Sequence, residues 1–173
     1  MALIKNRHLG NQIELKIDLL KNESLYYEPE AEDYLNWFPI DFSVQVEEEI
    51  YMFKYPPTFS LEGLKLFLKT IDSLVEEKKR RPNLSLEEKY TEFECGATEG
   101  EFSMKLMNTV DQFEKDIVTT ELWINAAYMD GNHPGYYRGF KFWVFLEDIA
   151  QFTQELKQQL YELTNGNVDI LGR

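Results

Sequence analysis

The chain has 173 residues, a formal net charge of -13 and one cysteine, Cys95. This length suits a single domain over residues 1–173, the acidity disfavours binding to nucleic acid, and a lone cysteine excludes an intrachain disulfide. No stretch approaches the roughly 20 apolar residues of a membrane-spanning helix, and the N-terminus lacks a signal-peptide core, so we expect a cytoplasmic protein without membrane contact.

The first half of the chain opens with predicted strands. Apolar and polar residues alternate over residues 13–17 and again over residues 38–46, which is the pattern of half-buried strands. Pro39 lacks an amide hydrogen, so the second strand either begins after it or lies at a sheet edge there. A further strand is expected at residues 50–55.

A long amphipathic helix follows these strands. Ser60 is a residue type that favours the N-cap, and the charged run before Pro82 suits a helix C-terminus. Apolar residues recur at spacings of three and four, at Leu61, Leu64, Phe67, Leu68, Ile71, Leu74 and Val75. This spacing predicts one buried helix face.

The second half predicts more strands and a closing helix. Four strands are expected, at residues 90–95, 102–106, 118–128 and 139–146. The last strand is apolar on both faces, which favours a central position or a cover over its second face. Asp148 is expected to cap the final helix, and Asn165 with Gly166 to end it.

The order of elements predicts the fold class. Strands follow one another through short links without crossover helices, which favours an α+β fold with an antiparallel sheet. We expect about six to seven strands, in one curved sheet or in two layers, with two amphipathic helices packed on them.

Motifs for catalysis or metal binding do not occur in the sequence. His8 and His133 have no metal-ligand partner at helical or finger spacing, and no nucleotide-binding or nucleophile-elbow motif is present. Two carboxylates, Glu92 and Glu94, lie close before Cys95, which disfavours a thiolate. We therefore expect no catalytic, cofactor-binding or metal-binding residues, and a protein that is not an enzyme.

Acidic residues are concentrated in one segment. Residues 22–53 contain nine acidic residues and no Lys or Arg, and many aromatic residues lie among them. Such a segment is typical either of a solvated face or of a folded surface that attracts a cationic protein. The candidate partner-binding residues here are Tyr26, Tyr27, Glu28, Glu30, Glu32, Asp33, Tyr34, Glu47, Glu48 and Glu49.

A second candidate is the segment from Tyr128 to Tyr137, which is rich in Gly, Pro and large residues. It is either a plain connection between strands or an interface in which Tyr136 and Tyr137 contact a partner.

The patterning over residues 11–163 resembles the WapI family of bacterial immunity proteins. The similarity includes the opening strand, the step Asn36-Trp37-Phe38, the long helix, and the join from the last strand into the final helix. The resemblance implies a small cytosolic protein that binds and neutralises a cognate toxin domain, often a nuclease. It assigns no catalytic residue.

Function is therefore expected to depend on protein binding. The leading hypothesis is an immunity protein that uses its acidic surface against a basic toxin, with its oligomeric state left open. The alternative is a ligand-binding or hydrolytic domain with a cavity near Trp123 and Trp143, although Trp at such positions is more often part of a core.

Overall fold

The structure, a computed structural model, describes residues 1–6, 12–21, 36–53, 58–80, 91–108, 117–125 and 137–168. Within these residues the chain forms nine strands and two helices. The strands are β1 (Ala2–Lys5), β2 (Ile13–Leu19), β3 (Trp37–Val46), β4 (Glu49–Met52), β5 (Thr58–Ser60), β6 (Glu92–Gly96), β7 (Phe102–Met107), β8 (Ile117–Asn125) and β9 (Tyr137–Phe145). The helices are α1 (Leu61–Arg80) and α2 (Leu146–Leu163).

The strands form two antiparallel sheets. The first has the order β1-β2-β3-β4, with β5 paired to the opening residues of β3, and the second has the order β6-β7-β8-β9. The α+β prediction is confirmed, and the two-layer alternative replaces the single curved sheet. Strands β1 and β5 were not predicted because four and three residues are too short to show a period.

One hydrophobic cluster includes residues from both sheets and both helices. Phe102 on β7 lies at the junction, with its ring centroid 4.8 Å from that of Phe42 on β3. The same ring lies 6.0 Å from Phe59 and 6.1 Å from Phe67 on α1. The apolar residues that alternate along the strands therefore face one core that both sheets share.

Helix α1 forms as its sequence predicts. The Gly63 amide donates a hydrogen bond to Ser60 Oγ at 3.1 Å, which satisfies one of the free donors of the first turn. All seven apolar residues of the predicted stripe are buried. Helix α1 packs on α2, where Lys157 is buried and its Nζ lies 2.6 Å from Asp72 Oδ2. Neither helix is long and apolar enough, over the residues described, to cross a membrane.

Helix α2 is tied to β2 through Gln159. Its Nε2 donates to Asp18 Oδ1 at 3.0 Å, and its Oε1 accepts from the Leu19 amide at 2.7 Å. Burial acts to raise the pKa of Asp18, but hydrogen bonds from the Ala2 amide, from Gln159 and from Lys16 outweigh it and hold that pKa below 3.8.

Two local predictions were wrong. Strand β3 begins before Pro39, and Pro39 does not lie at an edge: it is opposite Thr58 of β5 on one side, and on the other its carbonyl accepts a hydrogen bond from the Leu20 amide at 2.7 Å. The proline is tolerated because this bond uses its oxygen rather than the missing hydrogen. Asp148 does not cap α2, because the helix begins at Leu146 with Phe145 as N-cap, so Asp148 lies in the first turn.

The position predicted for the last strand was also wrong. Strand β9 pairs with β8 and, among the described residues, has no partner on its other side. Its apolar residues Phe142 and Val144 face the core, whereas Trp143 on the opposite parity is 50% exposed. Trp143 on the outer face of β9 is therefore half-exposed, although Thr119 opposite it on β8 is buried.

Candidate partner-binding site

The turn from β3 into β4 carries Glu47, Glu48 and Glu49 and is here called the acidic hairpin. Glu47 adopts a left-handed backbone with φ of 54°. Its amide donates to the Gln12 carbonyl at 2.9 Å, and its own carbonyl accepts from Gln45 Nε2 at 3.0 Å. These bonds hold the turn from two sides, so the backbone that carries the acidic side chains has a defined position.

Glu49 differs from its two neighbours because it is paired within the chain. Its carboxylate lies 3.7 Å from Arg138 Nη1 on β9 and accepts a hydrogen bond from the Tyr51 hydroxyl. The Arg138 guanidinium also lies over the Tyr51 ring, 5.1 Å from its centroid. The hydrogen bond to Glu49 is the main cause of the raised pKa of Tyr51. Glu49 therefore helps to join the two sheets.

Glu47 and Glu48 are exposed, and the part of the chain that the structure describes gives neither of them an ion pair. Two apolar side chains follow on the same hairpin: Ile50 is 59% exposed and Met52 is 56% exposed. Both lie on the outer face of the first sheet, opposite Gln45 and Ser43 of β3. The hairpin thus presents charge at its tip and apolar surface beside it.

Ile50 and Met52 were not predicted as partner-binding residues. The available signal was the run from Ile50 to Phe53, which is apolar on both parities although it lies next to an acidic turn. In such a strand the apolar side chains point to both faces, and a core on one side can bury only one of these two sets.

Most of the other candidates lie outside the described residues. These are Tyr26, Tyr27, Glu28, Glu30, Glu32, Asp33, Tyr34 and Tyr136. Tyr137 is described, and its assignment to a loop was wrong, because it is the first residue of β9. Its side chain is 56% exposed.

The two tryptophans of the alternative hypothesis are not core residues. Trp123 is 46% exposed and, like Trp143, lies on the outer parity of the second sheet. Both indoles stand about half-exposed on the outer face of the second sheet. A shallow depression of about 470 Å³ does occur elsewhere, against the polar face of α2, and is lined by Met1, Gln151, Gln154, Glu155, Gln158, Gln159 and Glu162.

Comparison with known families identifies the group. The model of the Immunity protein WapI-like family matches residues 5–164. The chain belongs to this family of immunity proteins. Comparison with curated proteins and with solved structures gave no match. The family resemblance drawn from the hydrophobic patterning is therefore confirmed over most of the chain.

Two observations describe the reactive groups in the described part of this immunity protein. Burial, with a smaller contribution from Glu94, raises the pKa of Cys95 to about 12, so its thiol stays protonated at neutral pH. No group of three or more His, Cys, Asp or Glu side chains that could hold a metal ion occurs among the described residues.

Proposed function

We propose that this immunity protein is a non-catalytic, cytosolic inhibitor that binds its cognate toxin domain through the acidic hairpin. The observation that supports this most directly is the exposure of Glu47 and Glu48 on a turn whose backbone is fixed by Gln12 and Gln45. Charges on a fixed backbone attract a cationic surface without the cost of ordering a loop on binding.

The partner proposed is a basic protein. A chain with a net charge of -13 repels nucleic acid and anionic membranes and accelerates encounter with cationic surfaces at low salt. Nuclease active sites are cationic because they hold phosphates, so an acidic hairpin could occupy such a site in place of nucleic acid. A nuclease toxin is accordingly the partner class that we favour.

The proposed surface has an apolar component as well as charge. Ile50 and Met52 lie beside the carboxylates and provide area that can be removed from water on binding. The acidic and tyrosine residues from Tyr26 to Tyr34, together with Tyr136 and Tyr137, remain proposed contributors.

The first test pairs the immunity protein with candidate toxin domains encoded near its own gene. Co-expression with the immunity protein should restore growth, and the purified toxin domain should bind the immunity protein with an association rate that falls as salt is added. Absence of binding by the purified pair would overturn the proposed function.

The second test locates the surface. Glu47→Lys with Glu48→Lys changes the net charge by +4, from -13 to -9. A control with Glu99→Lys and Glu162→Lys makes the same change at two other exposed positions. Glu49 is left intact because a lysine there would face Arg138.

We expect the hairpin variant to slow association at low salt by about tenfold or more, and the control to slow it much less, because steering depends on where the charge lies. Equal association rates for the two variants would exclude the acidic hairpin as the contact.

A further inference from the structure

Arg138 of β9 contacts two residues of β4, Glu49 and Tyr51, although the two strands belong to different sheets. Its Nη1 lies 3.7 Å from Glu49 Oε2 and donates a hydrogen bond to the Tyr51 hydroxyl. The Tyr51 hydroxyl donates to Glu49 in turn, and the Arg138 guanidinium lies over the Tyr51 ring, 5.1 Å from its centroid. Each of the three side chains, here called the inter-sheet cluster, therefore contacts the other two.

The strand registers explain why these side chains meet. Tyr51 is opposite the buried Val44 of β3, which places it on the core-facing side of the first sheet. Arg138 is opposite the buried Ile124 of β8, which places it on the core-facing side of the second sheet. Two residues further along β9, on the same side, the Phe140 ring packs on the Tyr51 ring with centroids 5.3 Å apart. The inter-sheet cluster therefore joins the facing sides of the two sheets.

Strand β4 carries the acidic hairpin but has little else to hold it in place. It has four residues and, among the described residues, pairs only with β3. Its outward side chains, Ile50 and Met52, are exposed, and the other two are the Glu49 and Tyr51 of the inter-sheet cluster. A short edge strand with few buried contacts opens locally at a low cost in free energy. The inter-sheet cluster therefore supplies side-chain contacts that fix β4 against the second sheet.

Arg138 acts on a basic partner in two opposite ways. As a cation beside the acidic hairpin it reduces the attraction of this surface for another cation, so its removal would favour association with a basic toxin. As a contact that holds β4 it keeps the hairpin ordered, so its removal adds an ordering cost to binding and shortens the lifetime of the complex. Because the signs differ, rate measurements separate the two effects.

We propose that Arg138 is a positioning residue of the toxin interface, which holds β4 and the acidic hairpin, through Tyr51 and Glu49, in the geometry that the toxin binds. The inference rests on the proposed function, since it assigns a further residue to the same interface. A guanidinium suits this task because its planar group stacks on an aromatic ring and pairs with a carboxylate at the same time.

The experiment measures association and dissociation rates with the purified toxin domain that the wild type binds in the first test. Arg138→Gln should raise the dissociation rate by about fivefold, the combined effect of one exposed ion pair and one cation–π contact. Its association rate should stay the same or rise, because a cation has been removed beside the hairpin. Melting temperatures of all variants establish that they are folded.

Lys141→Gln is the matched control. It removes the same charge from the same strand and also breaks an exposed ion pair, the 2.8 Å contact between Lys141 and Glu121. That pair lies within the second sheet and does not reach β4. The dissociation rate of this variant should stay within about twofold of wild type.

Two further variants separate geometry from charge. Arg138→Lys keeps the net charge and should give a dissociation rate between those of wild type and Arg138→Gln, because an ammonium pairs with Glu49 but has no planar face for the Tyr51 ring. Tyr51→Phe removes only the hydroxyl. Combined with Arg138→Gln it should add less than its own separate effect, because both changes remove parts of one set of contacts.

Amide hydrogen exchange of the free protein supplies a readout that does not need the toxin. Exchange at the β4 amides should be about fivefold faster in Arg138→Gln than in wild type, and unchanged in Lys141→Gln. The β2 amides, which lie between β1 and β3 inside the first sheet, should exchange alike in all three proteins.

The outcomes distinguish the positioning role from the proposed function. Equal dissociation rates for wild type and Arg138→Gln would overturn the positioning role and leave the proposed function standing, and so would equal exchange at their β4 amides. A loss of affinity that lies wholly in slower association would show that Arg138 attracts an acidic group of the toxin, which also overturns the role. If the wild type binds no candidate toxin domain, the proposed function and the role of Arg138 in it are both wrong.

Discussion

The replacement Phe102→Ala is expected to lower the stability of the whole molecule, because this ring contacts both sheets and α1. Phe102 is 1% exposed and its ring packs on Phe42, Phe59 and Phe67. Its loss should therefore weaken the packing of the two sheets together.

The expected magnitude follows from the burial. Phe-to-Ala truncation in a core lowers the free energy of unfolding by about 3–5 kcal/mol. Because Phe102 packs on three other aromatic rings, we expect a loss of about 4 kcal/mol. A natural domain is stable by about 5–15 kcal/mol, so this loss is a large share of the free energy of unfolding. At this chain length it corresponds to a fall in Tm of about 8–16 °C.

The assay is urea unfolding followed by both tryptophan fluorescence and far-UV circular dichroism. Wild type should unfold in one transition that both probes report, and Phe102→Ala should shift that transition as a unit. Ile50→Ala, which truncates an exposed apolar side chain, should change stability by less than about 0.5 kcal/mol. Two separate transitions, or a loss below about 1 kcal/mol in Phe102→Ala, would refute the shared core and the single-domain proposal.

Four further outcomes are expected. The Cys95 thiol should react with a disulfide reagent only after denaturant is added; rapid labelling of the native protein would contradict its burial and its raised pKa. Asp18→Asn should lower stability at neutral pH, and the difference from wild type should shrink as pH falls below 3.8, because a depressed folded pKa stabilises only while the carboxylate is ionised; pH titrations of Tm that stay parallel would exclude this. Asp72→Ala should cost about 1–2 kcal/mol because it leaves the buried Lys157 ammonium without this carboxylate, discounted for the partial exposure of Asp72. Lys157→Met should leave stability unchanged or raise it. Chemical denaturation of Asp72→Ala and of Lys157→Met measures both changes in the free energy of unfolding.

The sequence was sufficient for the parts of the fold that depend on local period. Alternation over residues 13–17 and 38–46 and the stripe from Leu61 to Val75 each predict which side chains are buried, and these residues are buried, except Val46, which is partly so. A period of two or of 3.6 places apolar residues on one face whatever lies opposite, so a single chain segment carries this information.

The site depended on contacts between distant segments. The sequence located Glu47, Glu48 and Glu49 in an acidic run, but it did not separate Glu49 from the other two. Tyr51 and Arg138 are 87 positions apart, and only the packing of β4 beside β9 brings them together and pairs Glu49.

The sequence alone determined the family, the α+β class and the acidity of the chain. Tertiary structure decided which apolar residues remain on the surface: Trp123, Trp143, Ile50 and Met52 all have the chemical character of core residues. The physical reason is that alternation divides a strand into two faces, but only the arrangement of the other sheet and the helices determines which face is covered.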